Sequence, residues 1–178
     1  MFLVHYPMLA AQKTADEILE SVDDDGQEEL SRASTGLAFN GFAGGLNISF
    51  GTVTLGVVGA ATGGSVGLSA RLLYPLGFLI VIIGRSQLFT ENTITPVTVV
   101  LTEFNVLPNM LQLWAVVFVA NVLGTVVFAA ALAMETYLQP AALEILFDEA
   151  TTKLEYGFWR TPAKAILEVG PWRSWPGW

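Results

Sequence analysis

The sequence "GRSQLFTENTITP", residues 84–96, decides the fold of this chain because it interrupts an apolar region with polar and charged side chains. It follows the uncharged run "LLYPLGFLIVII", residues 72–83, and precedes "VTVVL", residues 97–101. Each run is shorter than the roughly 20 residues that an α-helix needs to cross the hydrocarbon core of a bilayer. Together the two runs suffice for one crossing, so we predict a single membrane helix that is broken near its middle.

The composition of the whole chain indicates a membrane protein. Hydrophobic residues make up 53% of the sequence and charged residues 13%, and the mean hydropathy is +0.56. These values lie outside the range of an ordinary soluble domain. The formal net charge of -8 is local, because eight of the sixteen acidic residues lie between Asp16 and Glu29. We interpret residues 1–34 as an acidic surface tail, either a short solvated helix or a disordered segment, and expect no nucleic-acid partner.

Two further stretches are long and apolar enough to cross the bilayer. Residues 35–61 contain no charge, and residues 113–134, "LWAVVFVANVLGTVVFAAALAM", form the cleanest span in the chain. With the segment 72–101, broken at 85–92, they predict an all-α membrane protein with three spanning helices, of which the second is discontinuous. Residues 135–178 are then an extramembrane segment.

A helix break at the centre of the bilayer leaves backbone N–H and C=O groups that lipid cannot satisfy. Such a break is tolerated only where protein surrounds it or where it lines a watery cavity, which is why broken helices are typical of transport sites. Arg85 and Glu91 are costly at that depth, whereas hydroxyl groups from Thr90, Thr93 and Thr95 can bond the freed backbone groups. The alternative is an ordinary polar loop outside the membrane, preceded by a re-entrant segment.

The stretch "LGFLIVIIGRSQLFTENTITP" resembles the second membrane segment of the formate/nitrite transporter family, in which a loop carrying Leu-Phe-Thr interrupts a discontinuous helix. "GLAFNGFAGGLNISFG" resembles the glycine-rich first helix of that family. "LWAVVFVANVLGTVVFAAAL" resembles its third helix, with the Asn-x-x-Gly pattern at Asn121 and Gly124. The arginine and glutamine in the loop are closer to an uncharacterised inner-membrane branch of the family.

The resemblance implies a multi-pass protein of the cell inner (plasma) membrane with a cytoplasmic N-terminus. It also implies a homopentamer in which each protomer has its own pore for a small anion such as formate or nitrite. That pore is built from six spanning segments in two inverted halves, of which this chain supplies one. By position, Leu88 and Phe89 match the apolar constriction of the loop, and Thr90 matches the polar residue beside it.

Two further positions are candidates for the substrate path. Tyr74 and Phe78 lie four residues apart on the first half-helix, so they share a face and form either a second constriction or a plain packing surface. Arg85 replaces a small residue of the family near the bend, and Gln87 stands where an acidic residue is common. An arginine near the pore favours anions. Alternatively Arg85 pairs with Glu91 and holds the loop, whose structural residues we expect to be Glu91, Asn92 and Thr93.

The C-terminal part departs most from the resembled family. "EATTKLEYGFWRTPAKAILE" resembles the approach to a fourth helix, but the chain ends in "VGPWRSWPGW", which cannot span a membrane. We interpret the chain as a member that is truncated after the third segment, with a frame-shifted tail as one explanation. The central histidine of the family's fifth segment has no counterpart, since the single histidine is His5.

Two classes of function are consistent with the sequence. The first is a channel or transporter for small monovalent anions. The second is a non-transporting membrane protein, either a degenerate member or an assembly partner that associates through its small-xxx-small glycines at Gly41, Gly45, Gly59 and Gly63. An enzyme is not expected, because the sequence shows no nucleophile with its base, no catalytic cluster and no cysteine. We expect no metal ion and no cofactor.

Overall fold

A computed structural model describes residues 14–134 and 138–155, which form helices and connecting turns and contain no β-strand. This confirms the predicted all-α fold. The α-helices, in chain order, are α1 (Ala15–Ser31), α2 (Ser34–Ala61), α3 (Leu68–Leu73), α4 (Leu76–Ile83), α5 (Thr95–Thr102), α6 (Leu107–Ala133) and α7 (Pro140–Leu154). Two short 3₁₀ turns, Glu91–Thr93 and Phe104–Val106, precede α5 and α6.

Two helical stretches of the described residues are long and apolar enough to cross a membrane, namely α2 and Phe104–Ala133. The helix α6 begins at Leu107, before the predicted span at residue 113, because it takes in polar side chains that a window of purely apolar residues leaves out. His5, residues 135–137 and the tryptophan-rich C-terminal end lie outside the described residues.

The discontinuous segment is made of α3, α4 and α5, each of which is too short to cross a bilayer. Pro75 separates α3 from α4, since proline has no N–H to continue the hydrogen-bond ladder. After α4 ends at Ile83, Arg85 has a φ of 48°, a left-handed conformation that stops a right-handed helix. The chain becomes α-helical again at Thr95, with Pro96 in the first turn, where its missing donor costs nothing. The predicted break is therefore confirmed.

The chain divides into two compact units. The first contains the chain up to Leu46 together with Gly84–Thr125, and the second contains Asn47–Ile83 and the chain from Val126 onward. In the first unit, Leu37 of α2 packs against Leu113 and Val117 of α6 in a small apolar core. The loop side chain of Phe89 packs on this core, so the unit is organised around the helix break.

In the second unit, small residues allow backbones to come close. A Cβ atom on Gly51 would lie 2.5 Å from the carbonyl oxygen of Tyr74, and one on Gly77 would lie 2.5 Å from that of Ile48. This close approach of α2 and α4 is typical of helices packed in lipid. Gly63, which the sequence suggested for helix packing, instead has a φ of 119° in the turn after α2 and no neighbour within 4 Å.

The acidic N-terminal segment is an ordered helix that packs on α5. Thr14 and Glu17 form a capping box, in which the Thr14 N–H donates to the Glu17 carboxylate at 2.7 Å. Gly26 is the buried residue of α1, and a Cβ atom there would lie 2.5 Å from the carbonyl oxygen of Thr95 and 2.6 Å from Val99 Cγ2. Of the two forms expected for this acidic surface segment, residues 15–31 adopt the helix, and the glycine lets one face of it dock on α5.

We predict that Gly26→Ala will loosen α1, although alanine is the better helix former. Overpacking against Thr95 and Val99 should cost about 1–3 kcal/mol, which exceeds the gain in helix propensity of about 1 kcal/mol. Gly36→Ala is the matched control, because Gly36 in α2 has no neighbour within 4 Å. Amide hydrogen exchange of residues 15–31 in detergent should be faster in Gly26→Ala than in the parent and the control. Equal exchange in the two variants would contradict the docking of α1.

Candidate functional site

The candidate site is the loop between α4 and α5, and its backbone groups find partners within the protein. The N–H of Gln87 donates to the carbonyl oxygen of Asn40 on α2 at 3.1 Å. The carbonyl oxygen of Leu88 accepts from the N–H groups of Glu91 and Asn92 at 3.1 and 3.2 Å. These bonds replace the helical ladder that the break removes, as a membrane environment requires.

Asn121 on α6 holds the loop with a single side-chain amide. Its Nδ2 group donates to the carbonyl oxygens of Gln87 at 2.9 Å and of Gly41 at 2.7 Å. Its Oδ1 atom accepts from the N–H of Phe89 at 2.8 Å. An asparagine amide has two donors and one acceptor oxygen, so both of its donors and its oxygen are engaged. The amide therefore fixes the backbone on both sides of Leu88 and ties it to α2.

Glycines bring the three elements of this clamp together. A Cβ atom on Gly44 would collide with the carbonyl oxygen of Gln87, so the loop passes directly over α2 at that position. A Cβ atom on Gly45 would collide with the backbone of Asn121, and one on Gly124 with the carbonyl oxygen of Phe42. The close contact of α2 with α6 thus sets Asn121 within hydrogen-bond distance of the loop.

An aromatic group holds the other side of the loop. The ring of Phe89 contacts Trp114 and Phe118 edge to face, with ring centroids 5.8 and 5.5 Å apart. The indole N–H of Trp114 donates to the carbonyl oxygen of Asn92 at 2.8 Å. Because edge-to-face pairs have a preferred geometry, these contacts restrict the Phe89 ring as well as its backbone.

The three residues of the Leu-Phe-Thr sequence differ in burial. Leu88 is 5% exposed, Phe89 is half-buried, and Thr90 is exposed. Among the predicted threonine bonds, that of Thr93 is present, since its hydroxyl donates to the carbonyl oxygen of Thr90 at 2.8 Å. The hydroxyl of Thr90 makes no hydrogen bond in the described part of the chain, nor does that of Thr95. The carbonyl oxygen of Thr95 accepts from the Thr98 hydroxyl at 2.6 Å instead.

The predicted ion pair between Arg85 and Glu91 is wrong. Both side chains are exposed, and the ion pairs of the described residues join Arg32 to Glu28 and Glu29. Arg85 occupies the left-handed residue just after α4, whereas Glu91 opens the 3₁₀ turn on the far side of the clamped loop. A left-handed backbone costs a residue with a side chain roughly 1–2 kcal/mol, so Arg85 stands at a strained position and forms no ion pair with another described residue.

Tyr74 and Phe78 belong to the second unit, where both side chains are partly exposed. Tyr74 closes α3 and Phe78 lies in α4, on opposite sides of Pro75. The four-residue spacing therefore does not run along one uninterrupted helix. Their place in a substrate path stays a prediction.

Sequence reasoning did not assign the two side chains that hold the loop, Asn121 and Trp114. A signal was present for Asn121, because a polar residue in the middle of an uncharged span is expensive in lipid and is usually kept for a function. No signal in the sequence pointed to Trp114, whose indole resembles any other apolar residue of α6. Asn92, predicted to be structural, does take part, since its carbonyl oxygen receives the Trp114 bond.

The fold and this site together define a helical membrane protein with a discontinuous span whose loop is clamped by its neighbours. The family model described as Formate/nitrite transporter matches residues 16–167. The chain belongs to the formate/nitrite transporter family, as its loop and glycine-rich helices indicated.

A curated relative agrees with this assignment. The chain is 39% identical over 113 residues to the inner membrane protein YfdC of Escherichia coli (strain K12), and the match covers 61% of this chain and 36% of the relative. The chain thus spans about a third of the length of the curated relative that it matches. No solved structure matches the chain significantly.

We predict that Asn121→Leu will destabilise the loop far more than its size suggests. The leucine fills a similar volume but leaves the carbonyl oxygen of Gln87 and the N–H of Phe89 unpaired, at about 1–3 kcal/mol for each buried group. Asn109→Leu is the control, because Asn109 is exposed near the start of the same helix. Thermal unfolding in detergent should show a clearly lower midpoint for Asn121→Leu alone. Midpoints lowered equally by both changes would remove the assigned role.

Proposed function

We propose that this chain contributes the pore loop of a membrane channel or transporter for small monovalent anions such as formate or nitrite. The observation that carries the proposal is the clamp of Asn121, which bonds the backbone on both sides of Leu88 and also the carbonyl oxygen of Gly41 on α2. A loop in water has its backbone groups satisfied by solvent, whereas backbone groups of this loop are bonded by the side chains of Asn121 and Trp114 and by the backbone of Asn40. That arrangement is the one required for irregular backbone at membrane depth.

The position of Asn121 supports a loop near the middle of the bilayer. Asn121 lies close to the midpoint of the 27-residue helix α6. With a rise of 1.5 Å per residue, this is about 20 Å from either end of the helix, well inside a hydrocarbon core about 30 Å thick. A loop bonded to this side chain fits a pore constriction better than a surface turn outside the membrane.

Within the loop, the side chains suit different parts of anion passage. Leu88 and Phe89 supply an apolar constriction that excludes hydrated ions. Thr90 supplies an exposed hydroxyl that can donate to an anion that has lost part of its water. Arg85 supplies an exposed positive charge that raises the local concentration of anions. Tyr74 and Phe78 are proposed to line the path, and Glu91, Asn92 and Thr93 to shape the loop.

The family and the inner-membrane relative support a proposal for the cellular setting. We propose that the chain is a multi-pass protein of the inner (plasma) membrane, with its N-terminus in the cytoplasm, and that it acts as a homopentamer. The proposed activity is passage of an anion through the membrane rather than catalysis. The lipid bilayer and the anion are the partners that this function requires.

Flux measurements in liposomes, with a protein in which all six spanning segments implied by the family are present, test the constriction. Phe89→Ala should raise nonselective leak because it widens the apolar gap, and Thr90→Val should lower anion flux because it removes the hydroxyl at nearly unchanged size. Phe118→Ala is the control for packing, since Phe118 contacts the same ring from α6. It should reduce the amount of folded protein without adding leak. Unchanged flux per folded molecule in both loop variants would refute the pore assignment.

Arg85 allows charge and backbone strain to be separated. Arg85→Gly removes the charge and also the cost of the left-handed conformation, so it should raise stability by about 1 kcal/mol. Arg85→Lys keeps the charge and the strain. We expect several-fold lower anion flux for Arg85→Gly and flux close to the parent for Arg85→Lys, measured at low salt, where long-range attraction is strongest. Parent-like flux in Arg85→Gly would limit Arg85 to a structural role.

A further inference from the structure

The helix α1 contacts both sides of the clamped loop. Its Gly26 lies against Thr95 and Val99 on α5, after the loop. One turn further along α1, the carboxylate of Glu29 reaches the loop itself and accepts a hydrogen bond from Nε2 of Gln87 at 2.5 Å. These two residues are 58 positions apart in the sequence. The acidic helix is thus attached to the residue that directly precedes the Leu-Phe-Thr sequence.

The hydrogen bond between Gln87 and Glu29 lies in a largely buried position, so its loss would be costly. Gln87 is 7% exposed, and the side chain of Glu29 is 21% exposed. Among the described residues, the Gln87 side chain bonds Glu29 through Nε2, and its Oε1 atom has no hydrogen-bond partner. Removal of the carboxylate would leave a buried amide wholly unpaired, which is costly. Arg32 lies 3.2 Å from the other Glu29 oxygen and holds the carboxylate in place.

Gln87 is also the residue at which three helices meet the loop. Its N–H bonds to Asn40 on α2, its carbonyl oxygen bonds to Asn121 on α6, and its side chain bonds to Glu29 on α1. The backbone bonds fix where the residue lies. The side-chain bond adds a third attachment, from Gln87 to α1.

We propose that Glu29 is a positioning residue for the constriction, and that it acts by accepting a hydrogen bond from Gln87 and so holding Leu88 and Phe89 in register. The proposal rests on the proposed function for the meaning of the constriction. Its physical content is independent of transport. The helix α1 supports the loop, and the carboxylate of Glu29 keeps the loop in its packed position. Glu28, the adjacent acid, is exposed and pairs only with Arg32 at 3.8 Å, so it provides a matched control.

The chain has no cysteine, so a single introduced thiol reports loop opening without interference. Ser86→Cys places a thiol beside Gln87 at a position that is 8% exposed. Ala142→Cys places one in α7 at a position that is 1% exposed, and it reports loss of structure in the second unit. The rate of modification by a small thiol reagent, with full-length protein in detergent, measures how often each site opens.

Glu29→Ala should raise the modification rate at Ser86→Cys roughly tenfold or more, as expected for loss of a charge-assisted hydrogen bond. Glu28→Ala should change that rate by no more than about twofold, as should Glu29→Ala at Ala142→Cys. Glu29→Gln, which keeps an acceptor oxygen, should stay within about threefold of the parent. Equal rates for Glu29→Ala and Glu28→Ala, or an equal rise at both reporter sites, would overturn the proposal.

An exchange of the two side chains completes the test, and it remains informative if Glu29→Ala fails to fold. Gln87→Glu alone places two carboxylates together and should open the loop, whereas Glu29→Gln combined with Gln87→Glu restores one donor and one acceptor. The combined variant should return to within about threefold of the parent rate. If it reacts as fast as Gln87→Glu alone, the hydrogen bond does not position the loop. Since thiol modification needs no transport, an absence of anion flux would refute the proposed function without affecting this result.

Discussion

The structure depends on the need to find partners for the backbone where the helix breaks between α4 and α5. Each residue between α4 and α5 brings an N–H and a C=O group that the helical ladder no longer pairs. The side chain of Asn121 pairs two of these groups. Its amide offers donors and an acceptor in the same plane, so it can bond Gln87 and Phe89 at once. The glycines of α2 and α6 are consequences of the same requirement, since a Cβ atom at Gly44 or Gly45 would keep the partners apart.

Some of this arrangement follows from local sequence alone. The break was predictable because residues 72–83 and 97–101 are each too short to span a bilayer, and because the charged residues Arg85 and Glu91 lie between them. The end of α4 and the start of α5 are also local, being set by a reversal of φ at Arg85 and by Pro96. Length, charge and helix-breaking residues therefore carried the prediction of a discontinuous span.

The partners of the loop were not predictable in the same way, because they are distant in sequence. Asn121 lies 34 residues from Gln87, and Glu29 lies 58 residues from it. Within a run of eight acids, nothing distinguishes Glu29 from its solvated neighbours except a glycine one turn before it, which allows the helix to dock. The expected pairing of Arg85 with Glu91 failed for the opposite reason: closeness in sequence suggests contact, but the left-handed turn and the clamp separate the two side chains.

The double use of the Asn121 amide has a mechanical consequence. The same Nδ2 group bonds both Gly41 on α2 and Gln87 in the loop. Rotation or sliding of α6 against α2 in the first unit would therefore break these hydrogen bonds. The backbone around Leu88 therefore behaves as a fixed frame. Any change in shape at the loop comes from the side chains of residues 88–90, of which Thr90 is exposed, whereas Leu88 is buried and Phe89 packs edge to face on Trp114 and Phe118. For the pore proposed above, such a frame sorts solutes by size and hydration through its side chains and not through movement of its backbone.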